Sequence, residues 1–200
     1  MTRDKIESLI HKSIQAKQGL LEDKTLLQNI ERTINIIEEA LRRGKKLLLL
    51  GNGGSAADAQ HFAAELIGRF QQNKKALPAI SLVTDTSVLS GISNDFGYDY
   101  IFSRQIEALG EKGDVVIAFT TSDFENKTGG HSINIMYGLK TAREKGLKRI
   151  LLCGHKTKRL LPFVDVAIQV SADNTQRIQE VHEMLIHIIC ECIKGDTKKK

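Results

Sequence analysis

LLLLGNGGSAADAQHFAAELIGR, Leu47 to Arg69, decides the fold. Four leucines run into Gly51-Asn52-Gly53-Gly54-Ser55, and a helical pattern follows, so the stretch reads as strand, tight turn and helix. Glycines let the turn approach a ligand, and a helix start offers unpaired N–H groups and a positive dipole end that suit an anion such as phosphate. Ser55 adds a hydroxyl there. His61, Glu65 and Arg69 then recur every fourth residue, which puts an imidazole and a carboxylate on one helix face. Two other readings of the stretch exist. Such a His–Glu spacing also arises as a surface pair, and Gly51, Gly53 and Ala56 approximate a dinucleotide-binding fingerprint with alanine in the third glycine's place.

Outward from this stretch, further short apolar runs follow at Ala79–Thr84, Asp114–Thr120, Arg149–Gly154 and Val166–Val170. Helical patterns separate them at Phe102–Leu109 and Ile133–Lys145. Near-continuous apolar strands alternating with helices predict an α/β domain, a five-stranded parallel sheet sandwiched by helices. Ligands of such sheets lie beyond the carboxyl ends of the strands, where Gly51–Ser55, Thr84–Ser87, Thr120–Ser122 and Gly154 fall. Before the first strand, Ile6, Leu9, Ile10, Ile14 and Leu20, then Leu26, Leu27, Ile30, Ile34, Ile37 and Leu41, follow helical spacing. The first of these helices lies outside any strand–helix–strand unit. Its stripe is expected to help build an oligomer, the alternative being that both helices fold back over the sheet.

Composition sets the outer limits. Two hundred residues, 41% hydrophobic and 26% charged, suit one domain spanning 1–194, with a helical extension over 1–43 and a disordered basic tail over 195–200. No apolar run is long enough to cross a bilayer, and the N-terminal segment interleaves charges where a secretory signal would be apolar, so a cytoplasmic protein is expected. The net charge of +5 owes much to the closing KGDTKKK, and basic residues are not interleaved with aromatics, so neither nucleic acid nor membrane is an expected partner. Cys153, Cys190 and Cys192 have no zinc-ribbon or C-x-x-C spacing and read as reduced, buried thiols.

The last helical pattern, Thr175 to Ile193, carries Gln179, Glu183 and His187 four residues apart on one face. Beside His61 and Glu65 it offers two imidazoles, a carboxylate and an amide, a donor set suited to zinc. Gln179 and His187 stand about 12 Å apart along an ideal helix, so sharing one ion needs leaning side chains, a distorted helix start or two subunits.

Three blocks, GNGGSAADAQHFAAEL, TDTSVLSGISNDFGYDYIFSRQIEALG and TQRIQEVHEMLIHIIC, closely resemble the phosphoheptose isomerases, which have the SIS, flavodoxin-like fold. The resemblance runs from about Lys46 to Cys192. It implies interconversion of sedoheptulose 7-phosphate and D-glycero-D-manno-heptose 7-phosphate, supplying heptose for lipopolysaccharide or capsule, by a cytoplasmic homotetramer with zinc. By motif position it implies zinc ligands His61, Glu65, Gln179 and His187, with His182 a non-ligand. The implied sugar site holds Asn52, Gly53, Gly54, Ser55, Glu65, Asn94, Asp95 and Gln179.

In that family the phosphate loop reads Ser-Thr-Ser-Gly-x-Ser-x-Asn. Here it begins Thr120-Thr121-Ser122, and Asp123 stands in place of the glycine. Matching Asn134 to the closing Asn leaves about seven extra residues and makes Ser132 the displaced last serine. Carboxylates at Asp123 and Glu125 beside a phosphate are unfavourable unless they point away or Lys127 and His131 compensate. Chemically, isomerisation needs a group that removes a proton beside a carbonyl and returns it one carbon away, and Glu65 and His187 are the expected pair. Two alternatives are a non-catalytic SIS protein that binds a partner, which the altered phosphate loop favours, and an isomerase of a different sugar phosphate.

Overall fold

A computed structural model describes residues 2–68, 75–123 and 132–193. Helices α1 (Thr2–Glu22) and α2 (Lys24–Arg42) lead into β1 (Leu47–Gly51) and α3 (Gly54–Ile67). There follow β2 (Ala79–Ser81), α4 (Thr86–Asp95), a 3-10 turn (Tyr98–Tyr100), α5 (Ile101–Leu109), β3 (Val115–Phe119) and α6 (Ile133–Glu144). The chain continues through β4 (Lys148–Gly154), a second 3-10 turn (Leu161–Phe163), β5 (Val166–Val170) and α7 (Thr175–Cys192). All five strands are parallel, in the order β2-β1-β3-β4-β5.

Strand alternation sorts the leucines of β1 between two cores. Leu47 and Leu49 join Val115, Ile117 and Ile150 on the face covered by α2, α3 and α7. Leu48 and Leu50 join Val116, Ala118 and Leu151 under α5 and α6. A sheet buried on both faces explains why its central strands are apolar throughout.

The expected architecture is present, with differences in detail. Helix α4 was not legible as a helix: it buries no residue, and Ser90, Gly91, Ser93 and Asn94 are weak helix formers. Its start is fixed by Asp85, whose Oδ1 accepts from Val88 N at 2.9 Å. Strand β2 ends at Ser81 rather than Thr84, since Thr84 Oγ1 donates to Ser81 O and closes a turn. The two leading helices behave differently. Helix α2 folds back over the sheet, burying Leu26, Ile30 and Ile37, and Asn29 Nδ2 donates to Ala167 O in β5 at 3.0 Å. Helix α1 buries Ala16 and Leu20 but leaves Ile6, Leu9, Ile10 and Ile14 between 43% and 54% exposed. Of the cysteines, Cys153 and Cys190 are buried as expected, whereas Cys192, in the last turn of α7, is exposed. Burial pushes the Cys153 thiol up to about 12, which suits an inert core group.

Two ion pairs tie the strands at their amino ends. Lys46 Nζ donates to Asp114 Oδ2 at 2.7 Å, and the N–H groups of Lys46 and Glu111 donate to the same carboxylate. Arg149 grips Asp165 with Nε at 3.0 Å and Nη2 at 2.7 Å. Burial works to raise the Asp114 pKa, but these hydrogen bonds and the Lys46 charge outweigh it and hold the group below the ordinary carboxylate value. A depressed native pKa means that the carboxylate's stabilisation is complete above the unfolded value of about 3.9 and disappears as pH falls through the lower native one. Asp114→Ala is expected to cost on the order of 3 kcal/mol at neutral pH and to flatten the acid limb of stability below about pH 4, read by urea titrations across pH.

Candidate active site

The turn after β1 is shaped by its glycines. Gly53 adopts φ 56°, and a Cβ on Gly51 would collide with the backbone of Ser55. A Cβ on Gly54 would strike the side-chain amide of Gln179. Helices α3 and α7 therefore start in close contact and run side by side in the same direction. Asp58 faces His182, and His61 faces both Glu183 and His187.

At the far end of this helix pair lie the titratable groups. His61 Nε2 is 3.0 Å from Glu65 Oε1, and its Nδ1 is 2.6 Å from Glu183 Oε1. The His61 and His187 rings meet edge to face at 5.0 Å. One ligand atom each from His61, Glu65 and His187 lie within 4.8 Å of one another, all on partly exposed side chains. Two imidazoles and a carboxylate converging in this way could hold a metal ion, and the donor set is compatible with zinc. The Gln179 amide, read from sequence as a fourth ligand, lies instead against Gly54, two helical turns before His61 along α3. Glu183 shares the face of Gln179 and His187, and nothing local in the sequence marks its role. Its carboxylate on Nδ1 orients the His61 ring and leaves Nε2 toward Glu65, as carboxylates behind metal-binding histidines do. His182 is fully buried, with Nδ1 3.7 Å from Asp58 Oδ2 and its ring edge against Phe119.

Beside the first turn of α3 is a cleft of about 300 Å³. Asn52, Ser55, Tyr98 and Asp99 form one part of its lining, and Thr120, Thr121, Ser122, Ser132 and Asn134 another. Thr120 Oγ1 donates to Ser122 O at 2.8 Å and lies 3.2 Å from Ser132 Oγ. Ser132 has φ 70° and opens α6, an uncommon conformation for a residue other than glycine. Asn52 and Asn134 exchange amide hydrogen bonds of 2.9 Å in both directions, and Tyr98 Oη donates to Asn52 Oδ1 at 3.2 Å. Tyr98 and Asp99 have no signal in the sequence, because a 3-10 turn carries no periodicity.

Asn94 and Asp95, expected near the sugar, are exposed at the end of α4, hydrogen-bonded to each other at 2.9 Å and outside the cleft lining. Asp123 also stays out of the lining: its Oδ2 accepts from Lys158 N and Arg159 N, both at 2.8 Å. Arg69, Glu125, Lys127 and His131, and the tail over 195–200, lie outside the described residues.

The family described as the SIS domain matches residues 13–154. The chain is 43% identical over 191 residues to a phosphoheptose isomerase of Helicobacter pylori strain P12, covering 94% of this chain and 96% of that protein. Its structure resembles the phosphoheptose isomerase of Neisseria gonorrhoeae at a TM-score of 0.86 and 37% identity, covering 96% and 98% of the two chains. A phosphoheptose isomerase from Francisella tularensis gives a TM-score of 0.88 at 32% identity, with the same coverage. A sheet with a glycine turn, two helices converging on a histidine–carboxylate group, and this near-full-length likeness lead to one family: the chain belongs to the phosphoheptose isomerases, aldose–ketose isomerases built on the SIS domain.

Proposed function

We propose that this chain interconverts sedoheptulose 7-phosphate and D-glycero-D-manno-heptose 7-phosphate in the cytoplasm, supplying heptose for lipopolysaccharide or capsule. The observation that carries the reading is the convergence of His61, Glu65 and His187 within 4.8 Å, a short distance along α3 from a cleft lined by hydroxyls and amides. The absence, among the described residues, of any helix long and apolar enough to cross a membrane is compatible with the proposed location.

His61, Glu65 and His187 are the proposed zinc ligands, and Gln179 completes the set if its amide turns from Gly54. Held by these residues, zinc would supply Lewis acidity that stabilises negative charge developing on the substrate. Glu65 and His187 are the proton carriers: one takes the proton from the carbon beside the carbonyl, the proton is returned to the former carbonyl carbon, and the hydroxyl proton passes from one oxygen to the other. Glu183 holds the His61 ring in a fixed orientation through Nδ1. The phosphate is assigned to Ser55, Thr120, Thr121, Ser122 and Ser132, where the Ser55 and Ser122 hydroxyls and the α3 N-terminus offer donors to an anion. Asn52, Gly53, Gly54, Asn94 and Asp95 are assigned to the sugar.

A homotetramer is the proposed assembly. The open stripe Ile6, Leu9, Ile10 and Ile14 on α1 supports it, because a second copy would bury it.

Glu65→Gln and His187→Ala are expected to lower kcat on sedoheptulose 7-phosphate by about 10²-fold or more while thermal melting stays close to that of the parent chain. Undiminished turnover would sink the assignment. Treatment with a chelator should reduce activity, and zinc should restore it to the chelated protein. In light scattering the chain should have the mass of four copies, and Ile10→Asp with Ile14→Asp should shift it to smaller species.

A further inference from the structure

We propose that Asp123 is a positioning residue for the phosphate-binding turn, tying the end of β3 to the β4–β5 connection through two backbone N–H groups. The proposal rests on the assignment of the phosphate to the cleft at Thr120–Ser122. A glycine is expected at this place from the family pattern, and a carboxylate one residue from an anion site would ordinarily repel the ligand. Here the charge is directed elsewhere.

Asp123 Oδ2 accepts from Lys158 N and Arg159 N, both at 2.8 Å, and takes no part in the cleft lining. Those two N–H groups begin the turn in which Leu161 N donates to Lys158 O, so the carboxylate caps that turn from another part of the chain. The segment it grips is itself anchored. His155 N donates to Val170 O, Thr157 N to Gly154 O, and Gln169 Nε2 to Thr157 O at 2.9 Å. Thr157 is fully buried. The tether therefore runs from the phosphate turn through 157–159 to β5 at Gln169.

The rest of the turn is braced locally. Thr120 Oγ1 donates to Ser122 O and accepts from Ser122 N, which leaves the Ser132 hydroxyl as the donor in the 3.2 Å Thr120–Ser132 contact. Thr121 Oγ1 meets Thr175 Oγ1 at 3.3 Å, at the start of α7. These contacts fix the turn to its neighbours in the cleft and to α7. Asp123 fixes it to the other half of the sheet, at the point where the chain departs from the family's spacing. One side chain thus removes a repulsive charge from the anion site and holds the turn at its insertion point.

Both N–H groups use the same oxygen, so the tether needs an acceptor and not a charge. Asp123→Asn is expected to keep it and Asp123→Ala to lose it. With sedoheptulose 7-phosphate as substrate, the alanine variant should raise KM about tenfold with kcat within about twofold, and calorimetric binding of inorganic phosphate should weaken by a similar factor. The asparagine variant should stay within about twofold of the parent in both readouts. Unaltered KM and phosphate binding in Asp123→Ala overturns the proposal, as does equal impairment of both variants at unchanged melting temperature. Failure of the parent chain to bind phosphate or turn over the sugar overturns the assignment of the cleft and the proposal with it. Phosphate binding that persists in the alanine variant overturns the proposal alone.

Discussion

Everything in this site depends on how closely α3 and α7 approach at their first turns. A Cβ at position 54 would meet the Gln179 amide, the far end of a flexible side chain that would have to turn aside, so bare backbone on α3 gives that amide its place. From that contact their parallel course sets what meets what. Asp58 comes to His182, and His61 to Glu183 and His187. The histidine–carboxylate group is thus a consequence of the parallel approach of the two helices. Separating the helices by the width of a side chain would part the imidazoles even with every side chain of the group intact.

The two edges of the sheet divide the labour. At the amino edge, Lys46–Asp114 and Arg149–Asp165 are satisfied by charge-assisted bonds of 2.7 Å that hold successive strands in register. For Asp165, as for Asp114, burial alone would raise the pKa, and the Arg149 guanidinium and backbone N–H more than reverse it. At the carboxyl edge the turns carry the hydroxyls and amides that line the cleft. A rigid amino edge allows the opposite edge to carry a left-handed serine at φ 70° and a glycine turn without loss of the fold.

The sheet could be read from the chain because strands buried on both faces leave unbroken apolar runs, as at Leu47–Leu50 and Val115–Phe119. Within the site, His61–Glu65 was legible because it is local, four residues apart on one helix. Gln179, Glu183 and His187 were legible as a face, but not in their separate duties. Which of the three touches which partner depends on the crossing of two helices more than a hundred residues apart in sequence. Helix α4 carries little periodic signal because it half-buries only Leu89 and Ile92 against the core and fully buries no residue. The direction of Asp123 had no local signal either. Its partners are 35 and 36 residues away, and only the fold brings Lys158 and Arg159 beside it.

The paired amides of Asn52 and Asn134 have one more property. Each side-chain oxygen accepts twice: Asn52 Oδ1 from Asn134 and Tyr98, and Asn134 Oδ1 from Asn52 and the Ile135 N–H. With both oxygens saturated, each amide has one N–H left to give, so the pair is polarised in one sense although it bears no net charge. No lysine or arginine lines this cleft among the described residues. The phosphate proposed for this cleft would meet neutral dipoles fixed in direction, with the Asp99 carboxylate as the one charged side chain in the described lining. Such recognition depends on shape and hydrogen-bond angle more than on long-range attraction, and dissolved salt screens it far less than it would a ring of cations.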